Sequence, residues 1–183
     1  MSNNTIQATY ILGGECKISR NPKTVYMTVL GSCVCACIYD PVKRVGGINH
    51  FVLPYGAEHA SRDASHRYGE VAMRSLVDGL LRFGAKRENL VAKLYGGRIS
   101  NQAETCPGAI NIAFARSFLH DENIPLIESK LGGHVAQWVT FNPTTGIASV
   151  REAGEPHPKS RFDLQIIQQS MTQAAKPPAR IAC

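Results

Sequence analysis

No stretch of this chain is apolar for long enough to cross a bilayer; none of its hydrophobic runs approaches the roughly 18 residues required. The first residues, Met1 to Thr9, are polar and lack the charged-then-apolar layout of a secretory signal. The expected compartment is therefore the cytoplasm, with no membrane insertion. Runs of Lys and Arg are missing too. The 20 basic residues outnumber 14 acidic ones, for a net charge of +6, but they are scattered and no aromatic-rich RNA-binding motif accompanies them. That argues against nucleic acid; a mildly basic surface equally suits steering toward an acidic protein partner. Disulfide density is also lacking. Cys16, Cys33, Cys35, Cys37, Cys106 and Cys183 are unevenly placed, whereas a secreted disulfide scaffold is smaller and richer in cysteine. Free thiols are expected.

What is present is ordinary for one globular domain: 183 residues, 44% hydrophobic and 19% charged, enough for one full core and too little for two. Thr24 to Leu30 is rich in β-branched and aromatic residues and predicts a strand. Gly31-Ser32 breaks it, and Cys33 to Tyr39 predicts a second strand ended by Asp40-Pro41. Val45 to Leu53 predicts a third, stopped by Pro54, with Asp40 to Arg44 as the hairpin loop between them. Gly69 to Phe83 has helical periodicity through Ala72, Leu76, Leu80 and Phe83, widened by Met73, Val77 and Leu81, with Gly84 as its stop. Leu90 to Leu94 reads as a strand closed by Gly96-Gly97. Ala109 to Leu119 reads as a helix whose apolar face carries Ile110, Ala113, Phe114 and Phe118. Ile124 to Glu128, Val135 to Phe141 and Ile147 to Val150 complete the strands, the last two joined by a turn at Asn142 to Gly146. This order, without a regular βαβ repeat, predicts an α/β fold, a single layered mixed-sheet domain over residues 1–152. The remainder, 153–183, reads as a Pro-bracketed tail with a helix over 161–174, suited to packing on the domain or to docking a partner.

The strongest chemical signal is Leu30-Gly31-Ser32-Cys33, followed 17 positions later by His50. A nucleophilic cysteine needs access, a thiolate-favouring setting and a nearby base. Gly31 and Ser32 supply a tight turn that exposes Cys33 at the head of a strand and offers backbone N–H groups to an oxyanion. The hairpin brings the His50 strand back beside it. Two other readings of the same residues stand beside this one. A cysteine in an apolar strand is commonly a small buried hydrophobe, and a lone histidine a hydrogen-bonded structural residue. Cys33, Cys35 and Cys37 also share one face, although zinc sites space paired cysteines more widely, so a metal or redox-sensing thiol cluster is a weak match.

In order along the chain, Leu30-Gly31-Ser32-Cys33-Val34, Asp40-Pro41, Gly46-Gly47-Ile48-Asn49-His50-Phe51-Val52-Leu53-Pro54, Arg67-Tyr68-Gly69-Glu70-Val71-Ala72-Met73, Lys93-Leu94-Tyr95-Gly96-Gly97 and Gly132-Gly133 together span most of residues 10–150. This ordered set resembles the CheD family, the chemoreceptor glutamine deamidases of bacterial chemotaxis. The resemblance implies an α/β sandwich like that of glutamine-deamidating toxins and a Cys-His-Thr hydrolase that needs neither metal nor cofactor. Cys33 matches the nucleophile and His50 the base. Thr28 is the nearest candidate for the threonine; a spacing one residue shorter puts Met27 there, which cannot orient an imidazole, and one residue of slip changes the strand face. The implied substrate is a glutamine in the cytoplasmic region of a methyl-accepting chemoreceptor, with a CheC-type phosphatase as a second partner. A binding-only regulator and a receptor methylesterase-like hydrolase are the rival functions. Three places depart from the family pattern: Lys130 before Gly132-Gly133, Gln137 where arginine is common, and Arg98 after Gly96-Gly97. They are expected to line the substrate groove or the partner face.

Overall fold

The β-branched run Thr24–Leu30 forms β3, and its alternation decides which way the sheet faces. Tyr26 and Leu30 point inward, while Val25 and Met27 pack with Ile6 and Tyr10 on the other side. The computed structural model describes residues 6–59, 61, 64–99 and 105–154. Among these, β3 belongs to a four-stranded sheet in the order β1 (Gln7–Tyr10), β3, β8 (Gln137–Phe141), β9 (Ala148–Glu152). A five-stranded sheet lies against it, ordered β2 (Cys16–Ser19), β5 (Val45–Asn49), β4 (Val34–Asp40), β6 (Val91–Gly96), β7 (Leu126–Leu131).

Tyr26, Leu30, Val139 and Phe141 of the first sheet meet Cys35, Cys37, Ile48 and Tyr95 of the second. On its other face the second sheet carries α1 (Gly69–Arg82) and α2 (Pro107–Asp121), packed over Val34, Ala36, Ile38, Ala92 and Leu94. Three layers result: helices, sheet, sheet. β4 is central and covered on both faces, which is why it reads as a continuous apolar run with small residues at Cys35, Ala36 and Cys37. Gly47 lets α1 come close, since a Cβ there would lie 2.7 Å from the Leu76 side chain. No helix among the described residues is long and apolar enough to cross a membrane.

Most of the anticipated elements are present, and the 40–44 loop does join two antiparallel strands. Three differences matter. Strands β1 and β2 were not anticipated. The third predicted strand ends at Asn49 and continues only as isolated bridges at Phe51 and Leu53. On α2 the buried stripe is Gly108, Asn111, Ala115 and Leu119, whereas Ile110 and Ala113 are exposed and Phe114 and Phe118 only partly covered. The apolar side chains therefore misplace that helix's face by a fraction of a turn, because a polar Asn111 sits at the centre of the true one. The boundary residue 152 closes β9, and the helix predicted over 161–174 lies outside the described residues.

Candidate active site

The turn that precedes β4 is held by its carbonyls. Gly31 O accepts from Arg98 N at 2.7 Å, Cys33 O from Gly97 N at 2.7 Å, and Ser32 O from the Asn111 side-chain amide at 3.0 Å. Gly96 and Gly97 both adopt positive φ, +97° and +67°, to bring these donors round. A Cβ on Gly96 would run into Cys33 O and the Leu30 side chain, so only glycine allows this approach. The second glycine pair braces the first: Gly132 N donates to Gly96 O, and Gly133 O accepts from Ile99 N, each at 2.9 Å.

Cys33 heads β4 and is partly exposed, whereas Cys35 and Cys37 are sealed between the sheets. Val34 and Phe51 exchange both backbone hydrogen bonds. Cys33 and His50 therefore sit on diagonally opposite corners of that pair, on its inter-sheet side, at the spacing of roughly 7–8 Å between Cα atoms that long side chains bridge. His50 is enclosed by the segment linking β1 and β2. Its N–H donates to Glu15 O (3.0 Å) and its carbonyl accepts from Gly14 N (2.7 Å).

Thr28 points inward from β3, and its Oγ1 lies 2.9 Å from His50 Nδ1 and 2.7 Å from Ile11 O. Both Thr28 and His50 are buried. A carbonyl can only accept, so the single hydroxyl proton of Thr28 goes to Ile11 and its oxygen accepts from Nδ1–H. The proton is thereby fixed on Nδ1, and Nε2 carries a free lone pair. Gly13 leaves room beside that atom: a Cβ there would lie 3.9 Å from Nε2 and 3.2 Å from the side chain of Val52, the cross-strand neighbour of Cys33. Met27 packs on the opposite face of β3 with Val25, so the one-residue alternative puts no group near His50.

Burial lowers the His50 pKa below its ordinary 6.5, against smaller upward pulls from the Ile11 carbonyl and the Glu15 carboxylate. Burial raises the Cys33 pKa, against smaller downward pulls from its own backbone N–H and the charge of Arg67. Both shifts favour the neutral form of the group concerned. Among the described residues, no group of three or more His, Cys, Asp or Glu side chains is placed to hold a metal ion.

A family model described as CheD chemotactic sensory transduction matches residues 52–152. The probable chemoreceptor glutamine deamidase CheD of Cereibacter sphaeroides is 41% identical over 165 residues, covering 87% of this chain and 81% of the relative. The chain belongs to the CheD family. The protein of the same description from Zymomonas mobilis is 39% identical and covers 88% of both chains, and that of Caulobacter vibrioides is 44% identical over 75% of this chain and 73% of its own. The family model begins just after His50, but an alignment taking in 87% of the chain includes residues 28 to 50 wherever it starts. Among solved structures, hypothetical protein YfiH of Bacillus licheniformis matches with 15% identity and a TM-score of 0.41, over 70% of this chain and 60% of its own. A Neisseria meningitidis protein of family DUF152 matches with 13% identity and a TM-score of 0.47, over 79% and 74%.

Of the three departures from the CheD pattern, Arg98 and Lys130 carry exposed side chains, and Arg98 contributes its backbone N–H to the turn. Gln137 is different. It is 5% exposed at the start of β8, paired with Leu30 and Glu152, and cannot line an open groove as anticipated. Sequence reasoning also missed Ile11, Gly14, Glu15 and Asn111. The available signal for Asn111 was a polar residue spaced four and eight positions before Ala115 and Leu119.

Proposed function

We propose that this chain is a protein-glutamine deamidase in which Cys33 is the nucleophile, His50 the base and Thr28 the residue that holds His50 in its working tautomer. The observation that supports the reading is the Thr28–His50 contact, which holds the ring proton on Nδ1 and leaves Nε2 as an acceptor. CheD membership and relatives described as chemoreceptor glutamine deamidases support the same chemistry.

His50 Nε2 takes the thiol proton as Cys33 Sγ attacks the side-chain carbonyl carbon of glutamine. The carbonyl oxygen becomes an oxyanion, which the N–H groups of Ser32 and Cys33 at the Gly31 turn are placed to receive; among the described residues neither donates a backbone–backbone hydrogen bond. As the tetrahedral species collapses, the C–N bond breaks and His50 returns its proton to ammonia, leaving a thioester. Water deprotonated by the same nitrogen attacks the thioester, the C–S bond breaks, and glutamate and the thiol are regenerated. Every proton passes through one imidazole, and the chain's own residues suffice for the steps.

The substrate in this reading is a glutamine in the cytoplasmic region of a methyl-accepting chemoreceptor, and the protein acts in the cytoplasm. In this reading residues 1–152 are the deamidase domain and 153–183 its C-terminal tail. A CheC-type phosphatase is the second partner, with the exposed Arg98 and Lys130 available to such a surface. Offering the protein receptor cytoplasmic fragments that carry either glutamine or glutamyl methyl ester separates the rivals. Ammonia release with glutamate formation supports deamidation. Methanol release alone points to an esterase, and phosphatase binding with neither product points to a binding-only regulator.

A further inference from the structure

Asn111 is the one fully buried polar side chain on α2, and nothing in the triad accounts for it. Its amide nitrogen donates to Ser32 O at 3.0 Å and to Val52 O at 2.9 Å. Both partners are carbonyls, so the NH2 group must face them, and Oδ1 is left with no hydrogen-bond partner among the described residues. Ser32 immediately precedes the nucleophile, and Val52 is its cross-strand neighbour. One side chain thus ties the Cys33 turn to the strand segment that carries His50.

The tie has a consequence for chemistry. The Ser32–Cys33 peptide bond is trans, and in a trans peptide the C=O and the following N–H point in opposite directions. Drawing Ser32 O toward α2 therefore turns the Cys33 N–H away from α2. That N–H lies against the Cys33 thiol, within reach of an oxyanion formed by attack at Sγ. Arg98 N does the same one peptide earlier by holding Gly31 O, which sets the Ser32 N–H. We propose that Asn111 is a positioning residue that aims the Cys33 backbone N–H at the oxyanion, acting through its bond to the Ser32 carbonyl.

This inference rests on Cys33 as the nucleophile, but it can be tested without the receptor. p-Nitrophenyl acetate acylates a thiolate through a tetrahedral oxyanion: the C–S bond forms, the C–O bond breaks and p-nitrophenolate leaves. Iodoacetamide alkylates the same thiolate by displacing iodide from a saturated carbon, and no oxyanion forms. Both rates at Cys33 are measured for wild type, Asn111→Leu and Asn111→Asp, with Cys33→Ala to subtract the other thiols and a thermal melt for each protein. The expected result is acylation slowed about ten- to hundredfold, short of the roughly 10²–10³ lost when an oxyanion donor is removed outright, with alkylation at the wild-type rate. Acylation that falls in step with alkylation or with loss of the folded state assigns Asn111 a structural role only and overturns the proposal. Unchanged acylation in either folded variant overturns it as well. Receptor deamidation is followed alongside. If the acylation contrast holds while wild type converts no receptor glutamine, the deamidase reading fails and the positioning role stands.

Discussion

Replacing Thr28 by Val removes one hydroxyl and little else, because the two side chains have nearly the same shape. Thr28 is 1% exposed, so water does not take the hydroxyl's place. Ile11 O and His50 Nδ1–H both lose the hydroxyl that bridges them, although the Ile11 carbonyl still draws on the His50 ring. Each unsatisfied buried group costs about 1–3 kcal/mol, and the melting temperature is expected to fall accordingly. The catalytic effect has a separate cause. Without the hydroxyl at Nδ1 the ring proton is held there less firmly and shifts toward Nε2, where the nitrogen cannot serve as base. A charged carboxylate in the orienting position of serine hydrolases is worth ~10⁴ in kcat. A hydroxyl supplies orientation without a charge of its own, but its partner becomes an imidazolium in the transition state, so one hydrogen bond to a charged group, about 1.5–3 kcal/mol or roughly ten- to a hundredfold in kcat, is the expected loss. Deamidation of a receptor fragment followed by mass spectrometry gives the rate. Thr28→Ser is expected to restore most of it, and Met27→Leu, on the opposite face, to leave it unchanged. Wild-type kcat in a folded Thr28→Val protein would refute the orienting role, as would failure of the serine variant to recover activity.

Alkylation under native conditions is expected to label Cys33 well ahead of Cys35 and Cys37, which are fully buried, with His50→Ala slowing the labelling; peptide mapping that finds all three equally modified rules out a privileged thiol. The His50 pKa is lowered by burial, so neutral base persists below the ordinary 6.5 and the acid limb of kcat/KM is expected below that pH; a midpoint above 6.5 contradicts it. The same shift acts on stability. The unfolded chain takes up this proton near 6.5 and the folded one only at lower pH, so the His50 contribution is intact above 6.5 and is lost as pH falls beneath it, which a Tm series in buffers from neutral to acid reads directly. Gly96→Ala forces a Cβ into Cys33 O at a φ of +97°. Strain of about 1–3 kcal/mol and slower Cys33 labelling are expected, and a variant with unchanged Tm and labelling rate would show that the glycine is dispensable.

How much of this was legible in the sequence follows from how each element earns its stability. β3, β4 and α1 bury long apolar or periodic faces, and composition finds such elements. β1 and β2 are four-residue edge strands, Gln7–Tyr10 and Cys16–Ser19, half polar because one face meets water. Each alternates polar and apolar residues over four positions only, too short a run to stand out, yet the segment joining them supplies Ile11, Gly14 and Glu15 around Thr28 and His50. The face of α2 was misjudged for a related reason. Its central buried residue is an asparagine whose two partners, Ser32 and Val52, are 79 and 59 residues away. A hydrogen bond over that distance leaves no local pattern. Cys33 and His50 could be named because a Gly-Ser turn and a hairpin are short-range features. The choice between Met27 and Thr28 needed the register of β3, which pairing with Val139 of β8 fixes.

The role of Cys33 is tested most directly by comparing wild type with Cys33→Ala on a receptor cytoplasmic fragment, mapping each glutamine by mass spectrometry. Cys33 is only partly buried at the edge of the inter-sheet core, and alanine removes one sulfur atom there, so the variant is expected to fold. Wild type is expected to convert specific glutamines to glutamate, and Cys33→Ala to convert none. Conversion that continues at the wild-type rate in folded Cys33→Ala would contradict the thiol mechanism outright.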